Sequence, residues 1–192
     1  HAIEAYVSVK RQPMTDIFCL SAIRLISQNI RQAWANGNNI EAREQMMLGA
    51  FQAGVAFSNS SVALVHGMSR PIGAHFHIAH GVSNAALLAA VTEFSLIGDP
   101  LRYAQIAEAM GEPIQGLSIM EAADRVVHAI RRLVSDIRIP SLKQLGVERE
   151  RLIELAPSMA DAAIDSGSPA NNPRKPTRQE IIDLYIKAYD QE

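Results

Sequence analysis

Histidines are crowded into one part of the sequence. Four of the six lie within residues 66–80, namely His66, His75, His77 and His80. Neutral imidazole is a common ligand of transition metals in proteins, and iron, zinc, copper and nickel all accept it. Pro71 and Gly73 predict that the helix carrying His66 ends there, so that the chain can turn and bring His80 back toward it. This spacing is compatible with a shared metal ion.

The same histidines also fit a second interpretation, as surface residues or hydrogen-bonded core residues without a metal. His75 and His77 lie two positions apart and cannot share a helical face, so at most one of them points where His66 points. The density of histidines alone does not decide between the two interpretations.

Three parts of the sequence resemble one protein family. Residues 64–74 and 80–85 together resemble the signature of iron-containing (group III) alcohol dehydrogenases, and residues 1–8 resemble an earlier signature of that family. Residues 172–177 and the segment around Tyr185 resemble its C-terminal end. The sequence is therefore similar to the helical, metal-binding C-terminal half of an iron-dependent alcohol dehydrogenase, a fold of the dehydroquinate synthase type.

The resemblance implies a metal site. In that family one aspartate and three histidines hold a divalent metal, for which we expect Fe²⁺ with Zn²⁺ as the alternative. The resemblance places the histidine ligands at His1, His66 and His80. The aspartate would lie four residues before His1, outside these residues, and an i, i+4 spacing would put both side chains on one helical face.

Two further positions are candidates for the nicotinamide or substrate pocket. Phe57 matches an aromatic residue that the family places near the nicotinamide. Arg70 lies four residues after His66, where the family usually has histidine or another aromatic ring, and its charge favours a negatively charged group of the substrate or cofactor. The alternatives are a core position for Phe57 and a solvated loop position for Arg70.

The implied activity is that of an NAD(P)-dependent alcohol dehydrogenase that interconverts small primary alcohols or diols and aldehydes. The metal would act as a Lewis acid, and hydride would pass to or from the nicotinamide. We expect an N-terminal domain outside these residues to bind NAD or NADP, because they contain no Gly-x-Gly-x-x-Gly motif. The isolated chain is then expected to be inactive. The alternatives are a metal-independent relative such as a maleylacetate reductase and a non-catalytic helical assembly module.

The elements that would position these residues are all helical. Apolar residues recur about every 3.6 positions without sustained alternation, which predicts a single all-α domain over residues 1–192. The predicted helices cover residues 16–35, 40–66, 99–110, 118–137, 142–145, 149–164 and the segment after 177. Ser118 and Glu121 form a capping box at the start of one of them. The pattern that begins at His1 has no initiator methionine, which indicates a domain taken from a longer protein or a trimmed terminus.

Side-chain spacing also predicts how the first two long helices pack. Thr15 is expected to cap the first of them, and Ile17 and Trp34 to belong to its buried stripe. In the second helix, the face that carries Met47 and Phe51 also carries small residues, which we expect to permit close helix contact.

The amino-acid composition limits the classes of partner that the chain is expected to bind. The 18 Lys and Arg residues are balanced by 20 Asp and Glu residues, so no strong field draws the chain onto nucleic acid or an anionic membrane. Its apolar stretches are expected to fall short of the roughly 20 residues needed to cross a bilayer. Cys19, the only cysteine, is predicted to be buried, and we expect a cytoplasmic protein. The expected partners are a small alcohol or aldehyde and, in the intact enzyme, further copies of the chain.

Overall fold

The computed structural model describes residues 1–190, and within that range the chain contains helices and no strand. The prediction of an all-α fold is confirmed. In chain order, the α-helices are α1 (Ala2–Val7), α2 (Pro13–Ala35), α3 (Ile40–Ser60), α4 (Leu64–Phe76), α5 (His80–Ser95), α6 (Pro100–Ala109), α7 (Ile119–Asp136), α8 (Arg149–Asp165) and α9 (Arg178–Asp190). Two 3-10 helices cover Leu96–Gly98 and Pro169–Asn171, and residues 142–146 form turns rather than the predicted short helix.

The helices bury their apolar side chains in two clusters. One cluster lies among α1, α2, α3, α6 and α7 and includes Tyr6, Ile106 and Ile130. The other lies among α4, α5, α8 and α9 and includes Met68, where the Tyr185 hydroxyl donates a hydrogen bond to the Met68 carbonyl at 2.8 Å. Because α1 belongs to the first cluster and α4 to the second, their meeting point lies between two packed cores.

The start of α2 differs from the prediction. The helix begins at Pro13 rather than Asp16, and Gln12 is its N-cap. Thr15 is not the cap but closes a capping box, in which its hydroxyl accepts a hydrogen bond from the Gln12 backbone N–H. Proline is favoured in the first helical turn because the N–H that it lacks would have no partner there.

The predicted buried stripe of α2 is wrong at its two ends, Ile17 and Trp34, whereas Ile23 between them is buried as predicted. Ile17 is 66% exposed and Trp34 is 50% exposed, and the Trp34 ring instead faces the Arg138 guanidinium at 5.7 Å. The residues that α2 buries are Thr15, Cys19, Ala22 and Ile23. The stripe therefore faces the core near Ile23 and is exposed at its two ends.

Helix α3 also contacts α2 through a different face from the predicted one. Met47 and Phe51 are exposed, at 73% and 68%. The close approach to α2 occurs at Gly49, where an added Cβ would lie 2.8 Å from the Ile26 side chain. Sequence spacing identified the presence of small residues in α3 but chose the wrong side of the helix.

The chain bends between α3 and α4 instead of after His66. The two helices meet at 103° across residues 61–63, and Ser61 adopts a φ of 64°. Helix α4 then continues through Pro71 to Phe76, although proline was expected to end it. Proline removes one backbone hydrogen bond. The helix tolerates this loss because Leu64, Met68 and Ile72 are fully buried and hold it in place.

Within residues 1–190, one stretch is long and apolar enough to cross a membrane by length and composition, and α3 with α4 would be a second only if that bent pair formed a single span. The first stretch covers His80–Gly98, which corrects the expectation that every apolar run would be shorter. In this structure 44% of that stretch is buried against other helices. A core helix of a soluble protein passes the same test, so the finding is weak evidence for a membrane span.

Candidate metal centre

Three histidine rings meet where α1, α4 and α5 come together. His66 lies in the first turn of α4, His80 is the first residue of α5, and His1 directly precedes α1. The ring centroids of His1 and His66 are 4.4 Å apart, and those of His66 and His80 are 5.2 Å apart. The bend between α3 and α4 and the loop after Phe76 produce this arrangement, not a helix end at Pro71.

A buried carboxylate orients the central histidine. Glu4 is only 4% exposed, and its Oε1 accepts a hydrogen bond from the Val65 backbone N–H at 2.6 Å. Its Oε2 lies 2.5 Å from His66 Nδ1. A carboxylate can only accept, so Nδ1 carries a proton, and the neutral form of the ring then has its lone pair on Nε2. Histidine ligands in metalloproteins are commonly held by a carboxylate in this way.

Opposing effects act on the pKa of the Glu4 carboxyl. Burial raises the pKa, but the interactions with His66, first of all its hydrogen bond, outweigh the effect of burial and leave the pKa below its usual value. The pKa of His80 is also lowered, first because the ring loses hydration and then because of its electrostatic interactions with His66 and Arg70. Both effects favour a carboxylate at Glu4 and a neutral imidazole at His80.

The distance between His66 and His1 fits two ligands of one ion. The two Nε2 atoms are 3.0 Å apart. Two nitrogens bound at about 2.1 Å lie about 3.0 Å apart at a right angle and about 3.4 Å apart at the tetrahedral angle. Within residues 1–190, however, no three His, Cys, Asp or Glu side chains form a complete metal-binding set. The histidine nitrogens therefore fit part of the coordination sphere of a metal ion. Glu4 does not supply the anionic ligand of that sphere, because its carboxylate is hydrogen-bonded to His66 Nδ1.

The histidines line a cavity of about 260 Å³. Its wall contains all three histidines and Glu4, together with the apolar residues Ile3, Val65, Ala85 and Leu88. Asn84 also lines it, and the buried Asn84 Oδ1 has no hydrogen-bond partner among residues 1–190. The cavity combines an apolar wall with a few polar groups, as small-molecule sites usually do.

The other predicted residues lie at the edge of this site. Phe57 is half-buried and its ring stacks on that of His1, with centroids 4.3 Å apart. Arg70 is exposed one turn after His66 on the continuous helix α4, and its Nη1 donates to Ser168 Oγ at 2.9 Å. Neither residue lines the cavity, and neither do His75 and His77. The roles of Phe57 and Arg70 in binding nicotinamide or substrate stay predictions.

Sequence reasoning missed Glu4. Its signal was available, because an acidic residue three positions after His1 in a short helix lies near the same helical face. Glu4 becomes part of a mostly apolar cavity wall only once α4 has packed against α1. The spacing alone does not show that the carboxylate turns inward.

Comparison with known proteins identifies the family of the chain. The model of the Fe-containing alcohol dehydrogenase family, C-terminal, matches residues 1–189. The chain belongs to this family. It is 44% identical over 190 residues to the 1,3-propanediol dehydrogenase of Citrobacter freundii, and the match covers 98% of this chain and 48% of that protein. It is 40% identical to the NAD-dependent methanol dehydrogenase of Bacillus methanolicus, and the match covers 98% of this chain and 49% of that protein.

Solved structures of the family have the same arrangement of helices. A 1,3-propanediol oxidoreductase superposes with a TM-score of 0.94 at 44% identity, with 98% of this chain and 49% of that chain covered. The alcohol dehydrogenase from Oenococcus oeni gives a TM-score of 0.93 at 40% identity, with 98% and 48% covered. The chain thus spans about half the length of the relatives that it matches.

Proposed function

We propose that this chain is the metal- and substrate-binding half of an NAD(P)-dependent alcohol dehydrogenase. The observation that carries the proposal is the His1–His66 pair, whose Nε2 atoms lie 3.0 Å apart beside a small apolar cavity, with His66 held by Glu4. His80 is the third candidate ligand. We propose Fe²⁺ as the metal, with Zn²⁺ as the alternative.

Each residue has a defined part in this proposal. A divalent metal bound here would supply Lewis acidity to the oxygen of an alcohol or carbonyl substrate. Glu4 fixes the His66 tautomer so that Nε2 offers a lone pair, and the apolar wall around Leu88 holds the carbon chain of the substrate and excludes water. The cavity volume of about 260 Å³ favours small primary alcohols, diols and aldehydes.

The nicotinamide would come from another part of the enzyme. Residues 1–192 contain no Gly-x-Gly-x-x-Gly motif, so we propose that NAD or NADP is bound mainly outside them. We also propose a cytoplasmic homo-oligomer, in keeping with a single buried cysteine that forms no disulfide within the chain. The chain alone should then show no NAD(P)-dependent alcohol oxidation, and turnover at the rate of an ordinary dehydrogenase would contradict this division of roles.

Zinc titration by isothermal calorimetry tests the metal site itself. We expect His66→Ala to weaken Zn²⁺ binding by more than about 100-fold, because removing even a residue that orients a ligand costs 10–100-fold. The matched control is His128→Ala, since His128 is exposed on α7 and pairs with Asp124. The same affinity in both variants would contradict the proposal and favour a metal-independent enzyme or an assembly module.

A further inference from the structure

Two buried serines contact the third histidine. Ser69 and Ser83 are both 0% exposed, and their hydroxyl oxygens are 2.6 Å apart. Ser83 Oγ donates to the His80 carbonyl at 3.0 Å, while Ser69 Oγ lies 3.3 Å from His80 Nδ1. Ser69 Oγ is also 3.4 Å from the His80 carbonyl, a weaker geometry for a hydrogen bond than that of Ser83.

The position of Asn84 shows which nitrogen of His80 carries the proton. Its Nδ2 lies 3.0 Å from the His80 carbonyl oxygen, and because a carbonyl can only accept, this atom is the amide nitrogen rather than the oxygen. The same Nδ2 lies 3.1 Å from His80 Nε2. A donor that faces Nε2 requires a lone pair there. In a neutral ring, the proton is then on Nδ1.

The serine hydroxyls complete the same pattern. With the Ser83 proton directed at the His80 carbonyl, the single proton between the two hydroxyls belongs to Ser69. Ser69 Oγ is then free to accept from His80 Nδ1. The three hydrogen bonds are then donated in one direction. His80 Nδ1–H donates to Ser69, Ser69 donates to Ser83, and Ser83 donates to the His80 carbonyl. The reverse order would place two donors against each other at Nε2 and Asn84.

We propose that Ser69 and Ser83 are positioning residues that hold His80 in the tautomer with its proton on Nδ1. The Nε2 lone pair is then available beside the cavity, where Asn84 N–H occupies it until a ligand binds. The serine pair does for His80 what Glu4 does for His66. The consequence for metal binding rests on the proposed function, whereas the assignment of the tautomer does not.

Nuclear magnetic resonance tests the assignment directly in the metal-free chain. Long-range proton–nitrogen spectra at about pH 8.5, where an ordinary imidazole is neutral, report which ring nitrogen of His80 is protonated. We expect Nδ1–H in the natural chain, and a mixture with Nε2–H in Ser69→Ala and Ser83→Ala. Ser60→Ala is the matched control, because Ser60 is also fully buried and its hydroxyl pairs with Thr15 Oγ1 at 2.6 Å, away from the cavity.

Calorimetric titration with Zn²⁺ supplies the second readout. We expect Ser69→Ala and Ser83→Ala to bind at least about tenfold more weakly than the natural chain, and Ser60→Ala to bind equally well. A natural chain with Nε2–H at His80, or serine variants that keep Nδ1–H alone, would overturn the inference. If the tautomer behaves as expected but no chain binds Zn²⁺, the positioning role stands and the proposed function fails.

Discussion

Replacing Glu4 with glutamine separates the charge of this buried residue from its shape. The side chain is 4% exposed and accepts two hydrogen bonds, from the Val65 N–H at 2.6 Å and from His66 Nδ1 at 2.5 Å. Glutamine fills the same space and keeps one acceptor, but its other terminal atom is a donor. One of the two hydrogen bonds therefore has to change in Glu4→Gln.

The size of the effect follows from that one hydrogen bond. A bond to a charged group contributes about 1.5–3 kcal/mol, so we expect the free energy of unfolding to fall by about 2 kcal/mol. If the amide N–H faces His66, Nδ1 must accept and the ring proton moves to Nε2, where it points at His1. Zinc affinity should then fall 10–100-fold, the range found when the partner of a histidine ligand is lost.

Urea denaturation and calorimetric zinc titration measure the two effects on the same protein. Glu44→Gln is the control, since it makes the same chemical change at an exposed position of α3. We expect this control to change neither the free energy of unfolding nor the zinc affinity. An equal loss in both variants, or no loss of zinc affinity in Glu4→Gln, would refute the role given to Glu4.

Three other predictions concern packing and the cysteine. Gly98→Ala should lower the free energy of unfolding by about 1–3 kcal/mol in urea, because the new Cβ would lie 2.6 Å from the Arg174 backbone nitrogen. Gly54→Ala should raise it by about 0.5–1 kcal/mol, because no atom lies within 4 Å and alanine favours the helix; a loss would contradict the open space there. Burial raises the pKa of the Cys19 thiol to about 12, so iodoacetamide should label it only after unfolding. Since the folded protein keeps the thiol protonated, this contribution to stability is present below the thiol's usual pKa and is lost as pH rises toward about 12, a trend that Cys19→Ala should lack.

The sequence predicted those parts of the fold that depend on neighbours along the chain. The capping box of Ser118 and Glu121 forms as expected, since the two side chains satisfy backbone groups within one helical turn. The recurrence of apolar residues about every 3.6 positions identified the all-α fold class, because this pattern also depends on neighbours along the chain. Trp34 was misplaced because periodicity shows that a helix has an apolar side, and not whether another helix covers it.

The candidate site was predictable in part. Family resemblance and spacing selected His1, His66 and His80, and the structure brings their rings together. Glu4 and Ser69 were not found, because each becomes a partner of a histidine only through packing between helices. The route of the chain was also misjudged at Pro71, where buried neighbours outweigh the loss of one backbone hydrogen bond.

X-ray absorption at the zinc edge of the Zn²⁺-loaded chain tests the central claim most directly. We predict two or three imidazole nitrogens at about 2.0–2.1 Å, with one fewer in His66→Ala and no change in His128→Ala. A spectrum with oxygen ligands alone, and without the outer-shell scattering of imidazole, would contradict a metal centre built on His1, His66 and His80.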